Sequence, residues 1–389
     1  MRDLSYLLLR YLLFYRAKII TLSLSLALVA AIPLGLSIVS SITNEHLQAR
    51  AQSTPLLLGA QGSKLDLVLS ALYFADQELP LMTYSEIETL HESTLTNVIP
   101  IYRKYHVKSS PIIGTTLDYF TFRNLQVQEG RHFVRIGECV LGSDAGKRLG
   151  VSVGDTIISS PDNVFDIAGT YPLKMDVVGV LKPSATADDN AVFSDIKTSW
   201  IIEGLAHGHD KLENDPKSIL KREGETLIAN ASLRQYSYIT SENMNSFHFH
   251  GKQSAFPVNA AIVLPHDHKS KTILMGRYMS DNPLQMLIEP HKVITSLIDT
   301  IFDIKNLALV ILLVILAATF AIAVLVFILS IRLRRNELQT ILKIGASPFR
   351  VKMLLFGEII SVLLIASILV SISALVMNML GDKLIYLIL

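Results

Sequence analysis

The stretch RLRRNELQTILKIGASPFRVK, residues 332–352, separates two long apolar segments. It holds six basic residues and one acidic residue, in an order typical of a short helix, a glycine and a new helix start. Residues 304–331 before it and residues 353–380 after it are predominantly apolar and longer than the roughly 20 residues that cross a hydrocarbon core. Lys and Arg concentrate on cytoplasmic loops. The sequence therefore predicts two membrane spans joined by a cytoplasmic loop.

A third apolar segment, residues 19–42, lies near the N-terminus. It is longer than the apolar core of a signal peptide, which has roughly 7 to 15 residues, so we interpret it as an uncleaved anchor. Basic residues precede this segment and also populate residues 332–352. Both regions are therefore expected in the cytoplasm, and residues 43–303 on the opposite side of the membrane.

Residues 43–303 are long enough to form a folded domain of their own. Short β-rich segments cut by turns, such as residues 96–107 and 119–130, alternate with helical patterns. The single cysteine, Cys139, allows no intrachain disulfide, so the domain must be held by its own core. The predicted fold class is a membrane protein with three transmembrane helices and a large α+β extracytoplasmic domain inserted between spans 1 and 2.

The remaining segments flank these parts. Residues 1–18 are either a helix lying at the membrane interface or the cytoplasmic start of the anchor helix, and the sequence leaves both open. Apolar residues recur at intervals of three and four from Ile294 to Phe302, which predicts an amphipathic stalk helix that continues into span 2. Residues 381–389 form a short tail. The net charge of +1 and a hydrophobic content of 50% favour neither a disordered nor a nucleic-acid-binding protein.

Residues 332–352 contain signals for the end of one helix and the start of the next. Gly345 is placed to end a helix in a left-handed conformation, and Ser347 and Pro348 have the types expected at the N-cap and first position of the next helix. Apolar contacts are expected from Leu338, Ile341, Leu342 and Phe349. An ordinary intracellular loop would explain the basic residues, but it would not require signals that end one helix and start another. The pattern favours a short, rigid amphipathic element tied to two membrane helices.

The segment RRNELQTILKIGASPFRVKMLLFGE resembles the connection between spans 2 and 3 in the FtsX/MacB superfamily of ABC transporter permeases. The positions that match the family loop are Arg334 or Arg335, Glu337, Lys343, Gly345 and Ala346, with Glu358 in the following helix. Two further stretches, CVLGSDAGKRLGVSVGDTI (residues 139–157) and MDVVGVLKPSATADDNAVF (residues 175–193), are similar to the periplasmic core domain of that family. The order of parts along the chain is also that of the family.

The resemblance implies a permease subunit and not an enzyme. The sequence lacks the phosphate-binding motif G-x-x-x-x-G-K-[ST], so ATP and magnesium are expected on a separate cytoplasmic ABC ATPase that acts as a dimer. That ATPase is expected to dock on the loop and to move the outer domain for transport or extraction of a substrate. The alternative is a non-transporting mechanical relay of the FtsX type. The expected docking residues are Arg335, Glu337, Leu338, Ile341, Leu342, Lys343, Gly345, Ala346, Ser347 and Pro348.

The resemblance also implies where the protein is located and which partners it has. The protein is expected in a bacterial inner membrane, with a periplasmic domain and a periplasmic tail at residues 381–389. A second permease copy or a paralogue, lipid, and a periplasmic or lipoprotein partner are expected, and nucleic acid is not. Members of the family have four spans whereas three are predicted in this sequence, so the closing helix of the family is not carried over.

The sequence also contains three H-x-H pairs within about sixty residues. Residues two apart on a strand point to the same side, so each pair can present two imidazoles to one ion. Neutral imidazole is a common ligand of zinc, the candidate cofactor, and Glu203, Asp210 or Asp267 would be available as further ligands. Histidine-rich surface loops are the alternative interpretation, and zinc-linked transport or sensing is a further functional alternative. The pairs are His207 and His209, His248 and His250, and His266 and His268.

Glu358 is the only charged residue within residues 353–380. A carboxylate in a membrane segment is costly unless it reaches the interface or a partner. Coupling to protons is one interpretation, and the family motif favours a packing or interfacial role instead.

Overall fold

The computed structural model describes residues 2–159, 172–208, 219–223, 226–229, 237–280 and 284–388. The chain divides into two compact units. We call Gln48–Thr295 the sheet unit, and Met1–Leu47 together with Ser296–Leu389 the helical unit. Each unit is described separately below.

The described residues form eleven α-helices. They are α1 Arg2–Phe14, α2 Arg16–Gln52, α3 Lys64–Tyr73, α4 Ser85–Glu92, α5 Asp118–Phe122, α6 Ser143–Leu149, α7 Ile196–Ile202, α8 His268–Ser280, α9 Pro290–Leu333, α10 Arg335–Lys343 and α11 Pro348–Ile388.

The described residues also form sixteen β-strands. They are β1 Leu56–Ala60, β2 Met82–Thr83, β3 Thr96–Val107, β4 Ser110–Thr115, β5 Val127–Gly130, β6 Glu138–Leu141, β7 Thr156–Ile158, β8 Lys174–Leu181, β9 Val192–Asp195, β10 Ala206–Gly208, β11 Ile219–Glu223, β12 Thr226–Ala229, β13 Phe247–Phe249, β14 Pro257–Val258, β15 Ala260–Pro265 and β16 Gln285–Ile288.

Ten of these strands make one mixed sheet in the sheet unit, in the order β16-β1-β15-β3-β4-β9-β6-β8-β5, with β7 paired to β8. The pairs β4 with β9 and β6 with β8 are parallel, and the others are antiparallel. Helices α3 and α6, which lie where helical patterns are visible in the sequence, pack on the same unit. The α+β class expected from the sequence is confirmed for this unit.

Burial of aromatic and branched side chains holds the sheet unit together. Trp200, the only tryptophan of the chain, is fully buried, and its Nε1–H donates to the Pro257 carbonyl at 2.9 Å. Its ring packs edge-on against Tyr84 and Phe256 at centroid distances of 5.2 and 5.1 Å. Fully burying such side chains contributes about 1.5 to 3 kcal/mol each. The fluorescence of Trp200 is therefore a reporter of the folding of the sheet unit alone.

One predicted strand is partly wrong. Residues 119–130 were expected to be β-rich because of their aromatic content, but Asp118–Phe122 forms helix α5 and only Val127–Gly130 is a strand. The helix buries Tyr119 and Phe120 side by side, and the chain then turns at Asn124, which has a φ of 52°. Asn tolerates this left-handed conformation, so tertiary burial and the turn override the strand preference of the aromatic residues.

The chain enters and leaves the sheet unit through neighbouring strands. Strand β1 follows α2, strand β16 precedes α9, and the two strands pair antiparallel with Leu57 opposite Ile288. The end of α2 and the start of α9 are therefore both connected to the same end of this strand pair.

A buried ion pair fixes the last turn of α2 within the sheet unit. Arg50 donates two hydrogen bonds to the Asp188 carboxylate, at 2.6 and 2.9 Å, and one to the Tyr119 hydroxyl at 2.9 Å. It also donates to the Leu72 carbonyl. Arg50 is 7% and Asp188 is 1% exposed. Burial alone would raise the pKa of Asp188, but the Arg50 guanidinium and its hydrogen bonds lower that pKa below its usual value.

Glu138, a second carboxylate of the sheet unit, makes the stability of the fold depend on pH. Burial would raise the pKa of Glu138, but bonds from the Arg131 guanidinium at 2.6 and 2.8 Å, and from the backbone N–H groups of Val134 and Arg135, lower it to about 2. A lowered folded-state pKa stabilises the protein above the unfolded value near 4.5, and this contribution is lost as the pH falls towards 2.

We therefore expect Glu138→Gln to lower the free energy of unfolding by roughly 2 to 3 kcal/mol at pH 7 and by much less near pH 2.5. Urea unfolding of the full chain in detergent, followed by Trp200 fluorescence, measures both values. Asp144→Asn, which removes an exposed carboxylate paired with Lys147, is the control and should change stability by less than about 1 kcal/mol. An equal loss for Glu138→Gln at both pH values would contradict the linkage.

The helical unit contains three helices long and apolar enough to cross a membrane, among the residues described. They are Arg16–Gln52, Pro290–Leu333 and Pro348–Leu380. Helix α9 is continuous from the predicted stalk into the predicted span 2. The N-terminal residues form a helix of their own, α1, which ends at Phe14 before α2 begins at Arg16. Helix α11 continues beyond residue 380 to Ile388.

Candidate functional site

Helix α10, with the turn that follows it, is the candidate coupling site. It ends in a Schellman motif: the Ala346 N–H donates to the Ile341 carbonyl at 3.2 Å, and the Gly345 N–H donates to the Leu342 carbonyl at 3.1 Å. Gly345 has a φ of 106°, a conformation that L-residues rarely adopt. The predicted helix stop at Gly345 is therefore confirmed.

The predicted restart of the next helix is also confirmed. Helix α11 begins at Pro348, and the Ser347 hydroxyl accepts a hydrogen bond of 3.4 Å from the Arg350 N–H. Pro at the first helical position loses no backbone hydrogen bond. The two helices are consequently joined by a four-residue connection, residues 344–347.

Apolar side chains on and next to α10 are exposed. Ile341 is 38%, Leu342 39%, Ile344 81% and Phe349 71% exposed, and Leu338 is half-buried. Ile344 was not among the predicted docking residues, although it follows Ile341 by three positions, the spacing of neighbours on a helix surface. Such a group of exposed apolar residues marks a surface that contacts protein or membrane.

Most of the other residues named for docking are also exposed. They are Arg335, Lys343, Ser347 and Pro348, whereas Ala346 is half-buried. Glu337 is exposed and accepts a hydrogen bond of 3.4 Å from the Tyr15 hydroxyl. Charged and apolar side chains are therefore both accessible on this short segment.

A cluster of charges anchors the base of α10 within the helical unit. Glu358 of α11 is 1% exposed and forms ion pairs with Lys18 of α2 and with Arg334, at 3.4 Å, directly before α10. Lys18 and Arg334 both donate to the Ser330 hydroxyl, at 3.0 and 2.6 Å. The Arg334 guanidinium also lies 4.6 Å from the Tyr15 ring centroid. The charges of Lys18 and Arg334 satisfy Glu358 inside the unit, which supports the packing role.

Three of the six paired histidines lie together in the sheet unit. His207 of β10 is opposite His248 of β13, and His250 follows at the end of β13. The imidazole centroids are 5.0 Å apart for His207 and His248, 4.5 Å for His207 and His250, and 4.9 Å for His248 and His250. One possible ligand atom from each ring lies within 4.8 Å of the others. The prediction that His248 and His250 point to the same side is therefore confirmed.

The pair His266 and His268 does not have the predicted strand geometry. Strand β15 ends at Pro265, and Asp267 caps helix α8 by accepting a 2.6 Å hydrogen bond from the Ser270 N–H. That bond also lowers the pKa of Asp267. The chain changes from strand to helix between the two histidines, so the two-residue repeat does not apply to them. In the part of the chain that the structure describes, they belong to no group of three metal-ligating residues.

The remaining candidate zinc ligands from the sequence are Glu203, His209 and Asp210. Glu203 accepts hydrogen bonds from the Tyr102 hydroxyl and the Lys104 ammonium group, both at 2.7 Å, and from the Tyr105 hydroxyl. The Glu203 carboxylate therefore binds these three side chains and is not one of the grouped ligands. His209 and Asp210 lie outside the described residues.

The fold and these sites define a membrane protein that combines an α+β domain with three candidate transmembrane helices. Residues 19–219 match the family described as MacB-like periplasmic core domain. The match covers more than half of the chain, so this protein belongs to that family and with it to the MacB/FtsX superfamily of ABC transporter permeases. Members are ABC transporter permeases of the inner membrane that carry a periplasmic domain.

Two solved structures are similar to the sheet unit. The periplasmic region of MacB from Actinobacillus actinomycetemcomitans is 12% identical, with a TM-score of 0.36, and the match covers 64% of this chain and 97% of that one. The extracellular domain of the noncanonic ABC-type transporter YknZ from Gram-positive bacteria is 13% identical, with a TM-score of 0.31, covering 60% and 98%. Both TM-scores are low, so the assignment rests on the family match. The comparison with curated proteins found no match.

Proposed function

We propose that this chain is the membrane subunit of an ABC transporter in which a separate cytoplasmic ATPase docks on α10. ATP-driven closure of the ATPase dimer then moves the long helices, and these move the periplasmic sheet unit to transport or extract a substrate. The observation that carries the proposal is the set of exposed apolar side chains on and next to α10, held on a rigid element.

Anchoring of α10 supports this route. The Glu358 cluster joins the base of α10 to α2 and α11, so a force applied to α10 is passed to other helices of the unit. Helices α2 and α9 are continuous with the parts of the chain that lead to strands β1 and β16. Arg50 binds the end of α2 to the buried core of the sheet unit. Ion pairs and chain continuity thus connect α10, the long helices and the sheet unit.

The apolar helices imply further partners. Few side chains within the apolar windows of α9 and α11 are buried in the single chain. Lipid and a second permease copy or a paralogue are therefore proposed to cover these helices. The topology that fits the basic residues places residues 332–352 and the N-terminus in the cytoplasm and the sheet unit in the periplasm.

Purification of the tagged full chain from its native membrane in mild detergent with magnesium and a non-hydrolysable ATP analogue tests the proposal. We expect a copurifying protein whose sequence contains G-x-x-x-x-G-K-[ST], at one copy for each permease chain. Trp200 fluorescence verifies that the sheet unit is folded in the same sample. A folded chain that never retains a protein with this motif would overturn the proposal.

A further inference from the structure

We propose that His207, His248 and His250 form a zinc-binding site on the surface of the sheet unit. The site depends on side chains of that unit alone, so it does not rest on docking of an ATPase. His207 is partly exposed, and His248 and His250 are exposed, which gives an ion free access from solvent.

The antiparallel pair of strands β10 and β13 gathers these imidazoles on one side. Residues of β13 alternate, with Phe247 and Phe249 packed against the hydrophobic core and the histidines directed away from it. Phe249 stacks on Phe256 at a centroid distance of 5.8 Å. A Cβ on Gly208 would lie 2.6 Å from the Phe247 ring, so the glycine leaves room for that ring in its observed position. The core contacts thus fix the face that the histidines present.

The nitrogen atoms of His207 and His250 have a separation that suits a tetrahedral ion. His250 Nε2 and His207 Nδ1 are 3.2 Å apart. Two nitrogen atoms bound to zinc at 2.0 to 2.1 Å in a tetrahedral arrangement are separated by about 3.3 Å. An ion can therefore replace the contact between these two rings with little movement of either side chain.

The third ring is oriented by the backbone. His248 Nδ1 lies 3.1 Å from the Ser246 carbonyl oxygen, which can only accept a hydrogen bond. Nδ1 is therefore the protonated nitrogen of the neutral ring, and Nε2 carries the lone pair that a metal requires. Histidine ligands of metals are commonly oriented by such a bond to a backbone carbonyl. This bond preorganises His248 for coordination.

The donor set selects the class of ion. Three imidazole nitrogens favour zinc over calcium or magnesium, which prefer oxygen ligands. The only thiol of the chain, Cys139, is fully buried in the core and is not part of the group. Three protein ligands leave a fourth position of the zinc for water or for a donor atom of another molecule. The proposed site is therefore open and exchangeable.

Titration of the full chain with Zn²⁺ tests this site. The protein carries a tag without histidine, is reconstituted in nanodiscs and is stripped with a chelator before titration. We expect one saturable Zn²⁺ site per chain, and X-ray absorption should show three imidazole ligands at 2.0 to 2.1 Å. His248→Ala or His250→Ala alone should weaken binding by at least about 10-fold.

The double variant His266→Ala, His268→Ala is the matched control. It also removes an H-x-H pair, but one that lies where the chain changes from strand β15 to helix α8. It should bind Zn²⁺ like the wild type. Trp200 fluorescence must be unchanged in each variant, which separates loss of a ligand from loss of the fold. The proposal is overturned if the wild type shows no saturable binding, if both single variants bind normally, or if the control pair accounts for the affinity.

Discussion

Replacing Ile341 and Ile344 together by alanine is expected to weaken binding of the partner ATPase by about 100-fold or more, since each is expected to act as an interface hot spot. Both side chains are exposed in the single chain, at 38% and 81%; Ile341 lies in the last turn of α10 and Ile344 is the residue that caps its C-terminus. Alanine is the best helix former, so α10 should persist in the variant. The loss would therefore come from the missing apolar contacts.

Copurification and titration of the purified ATPase against the permease in nanodiscs measure this effect. Gln339→Ala is the matched control because Gln339 is an exposed polar residue of the same helix, and it should change the affinity by less than about threefold, as most non-hot-spot contacts do. If the double variant bound the ATPase as tightly as the control, α10 would not be the docking element.

Replacing Arg50 by methionine is expected to destabilise the sheet unit by about 3 to 5 kcal/mol. The side chain is 7% exposed, and its removal leaves Asp188, 1% exposed, as a buried charge without its main partner. Methionine retains much of the volume, so the loss reports mainly on charge and hydrogen bonding. Denaturant unfolding of the full chain, followed by Trp200 fluorescence, measures the change.

Two further variants separate the ion pair from general damage. Arg277→Met makes the same substitution at an exposed arginine of α8 and should cost less than about 0.5 kcal/mol. Adding Asp188→Asn to Arg50→Met should cost less than the sum of the two single changes, because the orphaned charge is removed with its partner. Strict additivity would show that the two side chains are not coupled and would contradict the account of α2 anchoring.

Local pattern and composition were enough to predict several elements. Three apolar helices, the continuous stalk of α9, and the helix stop at Gly345 with the restart at Pro348 all follow from neighbouring residues. Each depends on periodicity, on capping chemistry or on the length of an apolar segment, which a short window of sequence contains. The family was also visible in the loop and in two stretches of the core domain.

Contacts between distant residues could not be predicted in this way. Arg50 and Asp188 are 138 positions apart, and Lys18 and Glu358 are 340 positions apart. No local pattern marks which charges meet after the sheet and helices assemble. For the histidines, the H-x-H spacing indicated a same-side arrangement, but only strand pairing brings His207 to His248, and the Asp267 cap separates His266 from His268.

Site-specific photo-crosslinking in cells tests docking on α10 most directly. A photoreactive amino acid replaces Ile344, which is 81% exposed, and the same residue at Gln339 serves as the control. The account predicts that the Ile344 position crosslinks to a protein whose sequence contains G-x-x-x-x-G-K-[ST], and that the yield at Gln339 is several-fold lower. Crosslinks from Ile344 to lipid or to unrelated proteins only, with the sheet unit intact, would contradict docking of the ATPase on this helix.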